Sequence, residues 1–129
     1  MTLSQAMRAS STGLTAERFR MDVISTNIAN ANSIQTKDRA AYRRQVVVLT
    51  GDDNGVRIER IAQDMSDLIT KFEPGNPEAD GEGKVYYANV QPIAEMVDMI
   101  GATRAYEANV AAFNSAKGML RSALTIGDA

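Results

Sequence analysis

The chain has 129 residues, 44% of them hydrophobic, and a net charge of −2 with its basic residues dispersed. That is apolar material enough for one ordinary domain, and it disfavours nucleic acid as a partner, since phosphate binding needs a concentrated basic face. There is no cysteine and no histidine, which excludes a disulfide framework, a thiol nucleophile, the usual His/Cys zinc site and any Ser-His-Asp triad.

Aromatic content is only 5%, so the core rests on Ala, Val, Ile, Leu and Met, a set suited to helix packing. The first predicted element is a helix over residues 3–30. Met7, Leu14, Met21 and Ile28 recur every seventh residue, and Leu3 and Ile24 fall on a companion row whose other members, Ser10 and Glu17, are polar. This is the a/d pattern of a heptad seam. Thr2 or Ser4 supplies the cap. Gly13 weakens the helix by roughly 1 kcal/mol relative to Ala. The helix stops in Ser25–Ser33, "STNIANANS", where Asn27, Asn30 and Asn32 cluster. A helix stop with side-chain amides satisfying freed backbone groups is one reading of that cluster. Amides that also bridge to a neighbouring subunit are a second, since a carboxamide donates and accepts at once.

The middle segment, 34–88, reads as small and β-rich. Arg44–Thr50 is β-branched, Val56–Ile61 alternates apolar and charged residues, and Asn54-Gly55 between them predicts a hairpin with a type I′ tip. Asp67–Phe72 is a further short strand. Residues 73–83, "EPGNPEADGEG", hold two prolines and three glycines and form a loop. Its acidic residues lack the spaced ligands of a calcium loop, so it is read as solvated, with no metal.

The third segment, 89–129, predicts a helix from Pro92 to about Ile126. Its proposed a row is Met96, Thr103, Val110, Lys117 and Leu124, and its d row Met99, Tyr106, Phe113 and Leu120. Pro92 suits a first turn, Glu95 and Asp98 suit the positive end of the helix dipole, and Gly127 suits the close. The expected fold is therefore mainly α: long N- and C-terminal helices in a coiled-coil-like pair, with a small β-hairpin segment between. A seam of this kind is served equally by pairing within the chain and by pairing with other copies or related chains. No run approaches the ~20 apolar residues of a membrane span. The N-terminal "MTLSQAMRASSTGL" lacks the basic start and apolar stretch of a cleaved secretory signal, so any export is expected by another route. No cofactor, catalytic group or small-molecule substrate is expected, because no phosphate-binding glycine loop or tuned carboxylate pair is present.

Several motifs, in order, resemble the axial proteins of the bacterial flagellum, and among them the basal-body rod proteins. "NIANAN" (27–32) is similar to their helix-closing motif, and "EPGNPEADGEG" to a loop of the proximal rod proteins. "NVQPIAEMVDMIGATRAYEANVAAFNSAKGML" (89–120) resembles their C-terminal helix, through Glu95–Ile100, Arg104–Asn109 and Lys117–Met119. The sequence departs from the pattern at Asn76 (usually His), Lys84 (Tyr) and Ala88 (Pro). The resemblance implies a structural subunit of the rod, the shaft that crosses the periplasm, exported by the flagellar type III apparatus. It implies packing of both terminal helices against copies of the chain and sibling rod proteins. The residues expected at subunit interfaces are the seam positions Met7, Leu14, Met21, Ile28, Met96, Met99, Tyr106, Val110, Phe113 and Leu120, the asparagines Asn27, Asn30 and Asn32, and Arg104 and Asn109 as inter-helix hydrogen-bonders. A coiled-coil adaptor that binds a single helical partner is the competing reading.

Overall fold

A computed structural model describes residues 1–128; Ala129, the last residue of the expected third segment, lies outside them. The first helix, α1, spans Leu3–Ala29. Thr2 caps it reciprocally: its hydroxyl accepts the Gln5 N–H at 3.1 Å, and the Gln5 side chain accepts the Thr2 N–H at 2.8 Å. At the far end Asn30 is the C-cap, and its side-chain amide returns to the Thr26 carbonyl at 2.8 Å.

Strands β1 (Gln45–Asp52) and β2 (Gly55–Gln63) form the expected antiparallel hairpin. Its tip differs from the type I′ expectation. Asp53 and Asn54 make the turn, Asp52 Oδ1 accepts the Asn54 N–H at 2.8 Å, and only Gly55, at φ +126°, is left-handed. An Asp at the first position and Gly at the fourth is the signature of a type I turn, which the Asx bond selects over I′. The apolar–charged alternation of β2 breaks at Glu59-Arg60, and the ladder breaks with it. Val48 faces Arg60 and Leu49 faces Ile58, leaving Glu59 as a bulge.

The Asp67–Phe72 strand forms as β3, Ile69–Phe72. It pairs antiparallel with β4, Lys84–Tyr87, a strand the sequence reading missed because it is four residues long and follows a loop. Residues just after α1 line the other edge of β4, where Gln35 N–H meets the Tyr86 carbonyl at 2.8 Å and Ala88 N–H meets the Ser33 carbonyl at 2.9 Å. The second bond accounts for one departure from the family pattern: a proline at 88 has no N–H to give. Helix accounts for 49% of the chain and strand for 20%, so "mainly α" is corrected to two long helices with a substantial β middle.

Helix α2, Pro92–Gly127, runs past the expected closing glycine to an Asp128 cap. It lies antiparallel to α1: Asn27 meets Glu95, Met21 meets Thr103, and Gly13 meets Asn109. The expected a row is displaced. Met96 is 52% exposed, and Thr103, Lys117 and Leu124 are exposed with it; of that row Val110 alone is half-buried. The row that faces α1 instead is Glu95, Ala102, Asn109 and Ala116, also spaced by seven, beside Met99, Tyr106 and Phe113 of the expected d row. Small and polar residues were passed over in favour of larger apolar ones, yet small residues are what allow two backbones to approach. At Gly13 an added Cβ would stand 2.8 Å from the Asn109 side chain, so the glycine that costs helix propensity serves the crossing.

The hairpin covers a second side of α1, packing along Ala9, Thr12 and Ala16. Only one polar stripe of α1 remains open to water, including Arg8, Ser11, Thr15, Arg18, Asp22 and Ser25. The middle segment thus buries more of α1 than its size suggested. It does not reach α2 in the same way.

Candidate functional site

Two features stand out: a buried polar junction and an uncovered helix face. The junction is where the end of α1, the start of β1 and the start of α2 converge. Asn27 is 1% exposed, and its amide is fully used inside the chain. Its Nδ2 donates to the Gln45 carbonyl at 2.9 Å and to Glu95 Oε2 at 3.2 Å, while its Oδ1 accepts from the Tyr42 hydroxyl at 2.7 Å and the Gln45 N–H at 2.9 Å. Two donors and two acceptors are all it has, so nothing is left for a neighbouring subunit. Asn30 is the helix stop described above, and Asn32 is exposed.

Glu95 is also 1% exposed. Besides Asn27 it accepts from the Arg44 guanidinium, which also reaches Asp98 at 3.2 Å and Asp64 at 3.5 Å. Burial pulls the Arg44 pKa down, but the bond to Glu95 and the charges of Asp98 and Asp64 outweigh it, and the guanidinium is held firmly cationic. Burial, then the Glu95 charge, pushes the Tyr42 hydroxyl up and keeps it a donor. The Ser66 N–H and hydroxyl hold Asp64 below the usual carboxylate range. Asn89, the other buried asparagine, accepts the Arg44 N–H at 2.7 Å and donates to the Asp64 and Ser66 carbonyls at 2.9 and 3.2 Å. The result is a buried charge with matched partners on three elements, the condition under which such a network fixes geometry rather than destabilising it. Every member faces another; the arrangement sets the angles at which three segments leave one point.

Of this junction the sequence reading chose Asn27 and missed Tyr42, Arg44, Asn89 and Glu95 as partners. The seven-residue spacing of Glu95 with Ala102, Asn109 and Ala116 was a signal that Glu95 faces α1, but not of its partners there. Half-buried on α1 are Met7, Leu14, Met21 and Ile28; on α2, Met99, Tyr106, Asn109, Val110 and Phe113. Asn109 donates to its own helix, at Ala105 O, rather than across the crossing, and Arg104 is exposed. Glu17, a polar gap in the α1 seam, keeps one buried oxygen without a hydrogen bond, 3.7 Å from Arg20.

The uncovered face belongs to α2. Ile93, Met96, Val97 and Ile100 are each more than half exposed near its start. With 36 residues against 27, α2 is about 54 Å long and α1 about 40 Å. Because the end of α1 lies beside the start of α2, the longer α2 runs past the first turn of α1. There Met119, Leu124 and Ile126 are 63–77% exposed and Leu120 is 40% exposed. The apolar exposure is clustered on one helix rather than scattered over the surface.

The loop 73–83 is ordered by its own carboxylates. Glu73 accepts from the Tyr87 hydroxyl at 2.9 Å and the Asn76 amide at 3.1 Å, and Asp80 Oδ1 accepts the Glu82 and Lys84 N–H groups at 2.9 Å. Asn76, the second departure from the family pattern, is thus a loop anchor. The Asn76 amide and then the Tyr87 hydroxyl hold Glu73 below its usual range, and the Lys84 N–H chiefly does so for Asp80. A carboxylate depressed in the folded state contributes above its unfolded pKa, about 4, and loses that contribution as pH falls through the folded value. The Glu82 and Lys84 amides are therefore expected to keep their exchange protection from pH 8 down through about 4 and to lose it only as pH falls further, through the depressed Asp80 value. Unchanged protection at neutral pH in Asp80→Ala would remove the carboxylate from the account. Among the described residues no group of His, Cys, Asp and Glu is placed to hold a metal ion, and no helix is long and apolar enough to cross a membrane.

Two long helices pinned at one end, with much of one face uncovered, define a subunit built for assembly. Known proteins agree. Residues 7–33 match the family described as flagella basal body rod protein, and residues 82–126 the family described as flagellar basal body rod FlgEFG protein C-terminal. The flagellar basal-body rod protein FlgC of Bacillus subtilis (strain 168) is 39% identical, with 98% of this chain and 99% of that protein covered. FlgC of Borreliella burgdorferi is 42% identical over 98% of both, and FlgC of Salmonella typhimurium 33% identical over 98% and 99%. The chain belongs to the FlgC family of flagellar basal-body rod proteins.

Proposed function

We infer that this protein is a structural subunit of the flagellar basal-body rod, and that it assembles through the apolar face of α2 that its own fold leaves uncovered. That face is the observation that carries the reading: α1 is covered by α2 and the hairpin and shows water a polar stripe, whereas α2 shows water Ile93, Met96, Val97 and Ile100. Partners of matching character are copies of the chain and sibling rod proteins, which share the C-terminal pattern matched over residues 82–126. A place in the rod across the periplasm, and delivery by the flagellar type III apparatus, go with this reading. The junction serves it by fixing the angle between the helix pair and the β segments before assembly.

The test is a pair of methionines. Met96→Asp adds a charge at a site already in water, so the folded chain is expected to melt like wild type and yet to be missing from isolated basal bodies, with loss of motility. Met99→Asp, on the half-buried row facing α1, is expected to lower folding stability as well, by several kcal/mol for an unpaired charge in an apolar contact. Normal basal bodies containing Met96→Asp would exclude this face as an interface. A small closed complex at all concentrations, with no incorporation into rods, would favour a single-partner adaptor.

A further inference from the structure

The tip of the β1–β2 hairpin carries the only Asn-Gly step in the sequence, Asn54-Gly55. With no side chain on the second residue, its main-chain nitrogen can approach the carboxamide carbon of the first. In the folded chain both sides of that peptide are held. Asp52 Oδ1 accepts the Asn54 N–H at 2.8 Å, and Gly55 pairs with Asp52 across the ladder. Gly55 is pressed onto α1, where a Cβ would stand 3.1 Å from Ala9 Cα and closer still to the Thr12 hydroxyl. One residue on, Thr12 Oγ1 accepts the Val56 N–H at 3.1 Å. A type I turn holds its third residue, here Asn54, at ψ of about 0°, and closing a ring onto the Gly55 nitrogen needs roughly a third of a turn from there. The seated tip has no room for that rotation. The Asn54 side chain is exposed, so the seat of Gly55 is what restrains it.

We propose that Asn54-Gly55 is a self-modification site locked by the seat of the hairpin on α1. When the tip lifts, the Gly55 nitrogen gives its proton to water and attacks Asn54 Cγ. The N–Cγ bond forms, the Cγ–Nδ2 bond breaks, and ammonia leaves a succinimide. Water then opens the ring. Attack at Cγ gives aspartate; attack at the main-chain carbonyl breaks its bond to Gly55 N and gives isoaspartate, with the chain running through Cγ. The net change is amide plus water to carboxylate plus ammonium, with no oxidation or reduction. Isoaspartate puts one more C–C bond, about 1.5 Å, into a two-residue turn. Gly55 then misses its place beside Thr12, and refolding does not restore it. The seat thus separates chains that keep the hairpin docked from chains that have let it go, and marks the second kind permanently.

The full-length protein and a synthetic Gln45–Arg57 peptide are incubated in the same mildly alkaline buffer. Conversion is read from the mass of the tryptic Gln45–Arg57 fragment and by labelling with an isoaspartyl methyltransferase. The folded chain is expected to convert at least tenfold more slowly than the peptide; equal rates overturn the lock. Thr12→Ala, which removes the bond to Val56, is expected to convert several-fold faster than wild type. Asn30→Ala, which loosens α1 at its other end, is expected to convert as wild type does. Equal acceleration by both would mean that global unfolding, rather than release of the seat, opens the site, and would overturn the proposal. The last comparison isolates the product. Asn54→Asp carries the new charge on an ordinary backbone and is expected to melt like wild type, whereas the chain converted in urea and refolded is expected to melt lower. An isoaspartyl chain that melts with Asn54→Asp would overturn the permanence of the mark.

Discussion

Replacing Gly55 with valine is expected to lower the stability of the whole chain by about 3–5 kcal/mol, among the larger effects a single substitution produces. Two costs add. Gly55 sits at φ +126°, where a β-branched residue is strained. Any Cβ there would also stand 2.2 Å from Thr12 Oγ1 and 3.1 Å from Ala9 Cα. The hairpin is seated at this point: the Thr12 hydroxyl donates to the Ala9 carbonyl at 2.7 Å and accepts the Val56 N–H at 3.1 Å. Losing the seat uncovers the side of α1 that includes Ala16 and the face of the hairpin packed on it. A fall in melting temperature of roughly 10 °C or more is expected. Adding Thr12→Ala removes the hydroxyl clash but leaves the strain, the Ala9 contact and an unpaired Val56 N–H, so less than half the loss should return. A Gly55→Val protein that melts like wild type would mean that the hairpin tip does not bear on α1.

The contacts at Thr12 and Ala9 mean that the middle segment does not fold apart from α1. Heptad spacing located both helices to within a residue or two, because spacing records which positions repeat. It does not record which repeating row faces which neighbour. On α2 the large apolar row was chosen, and the fold uses the row of Glu95, Ala102, Asn109 and Ala116 against α1. Met96 and Leu124 of the chosen row are exposed instead. The hairpin was legible from its β-branched runs and its Gly. The tip geometry was not, since it turns on one Asp52 side-chain bond. The junction was least legible of all. Asn27, Tyr42, Arg44, Asn89 and Glu95 are far apart in sequence, and no local pattern announces that they meet. Asparagine at 27, 30 and 32 looked like one signal and is at least two: a buried hub and a cap.

The two asparagines separate by experiment. Asn30→Ala removes one exposed cap bond, to Thr26 O, and is expected to cost about 1 kcal/mol. Asn27→Ala removes four bonds and strands the Gln45 N–H and carbonyl, the Tyr42 hydroxyl and one oxygen of Glu95 in a largely buried site. Unpaired buried groups cost about 1–3 kcal/mol each, less what relaxation and entering water recover. A total of roughly 3–5 kcal/mol is expected. Asn27→Asp is the sharper variant, because it keeps the shape and replaces two donor hydrogens by a second carboxylate beside Glu95. It is expected to be at least as damaging as alanine at neutral pH, although packing is untouched. Urea unfolding of the full chain gives each value. A double-mutant cycle between Asn27→Ala and Glu95→Ala should show a coupling of about 1 kcal/mol or more, since each single change strands the partner that the other removes. Equal costs for Asn27→Ala and Asn30→Ala, with no coupling to Glu95, would reduce the cluster to a helix stop and leave the junction angle to packing alone.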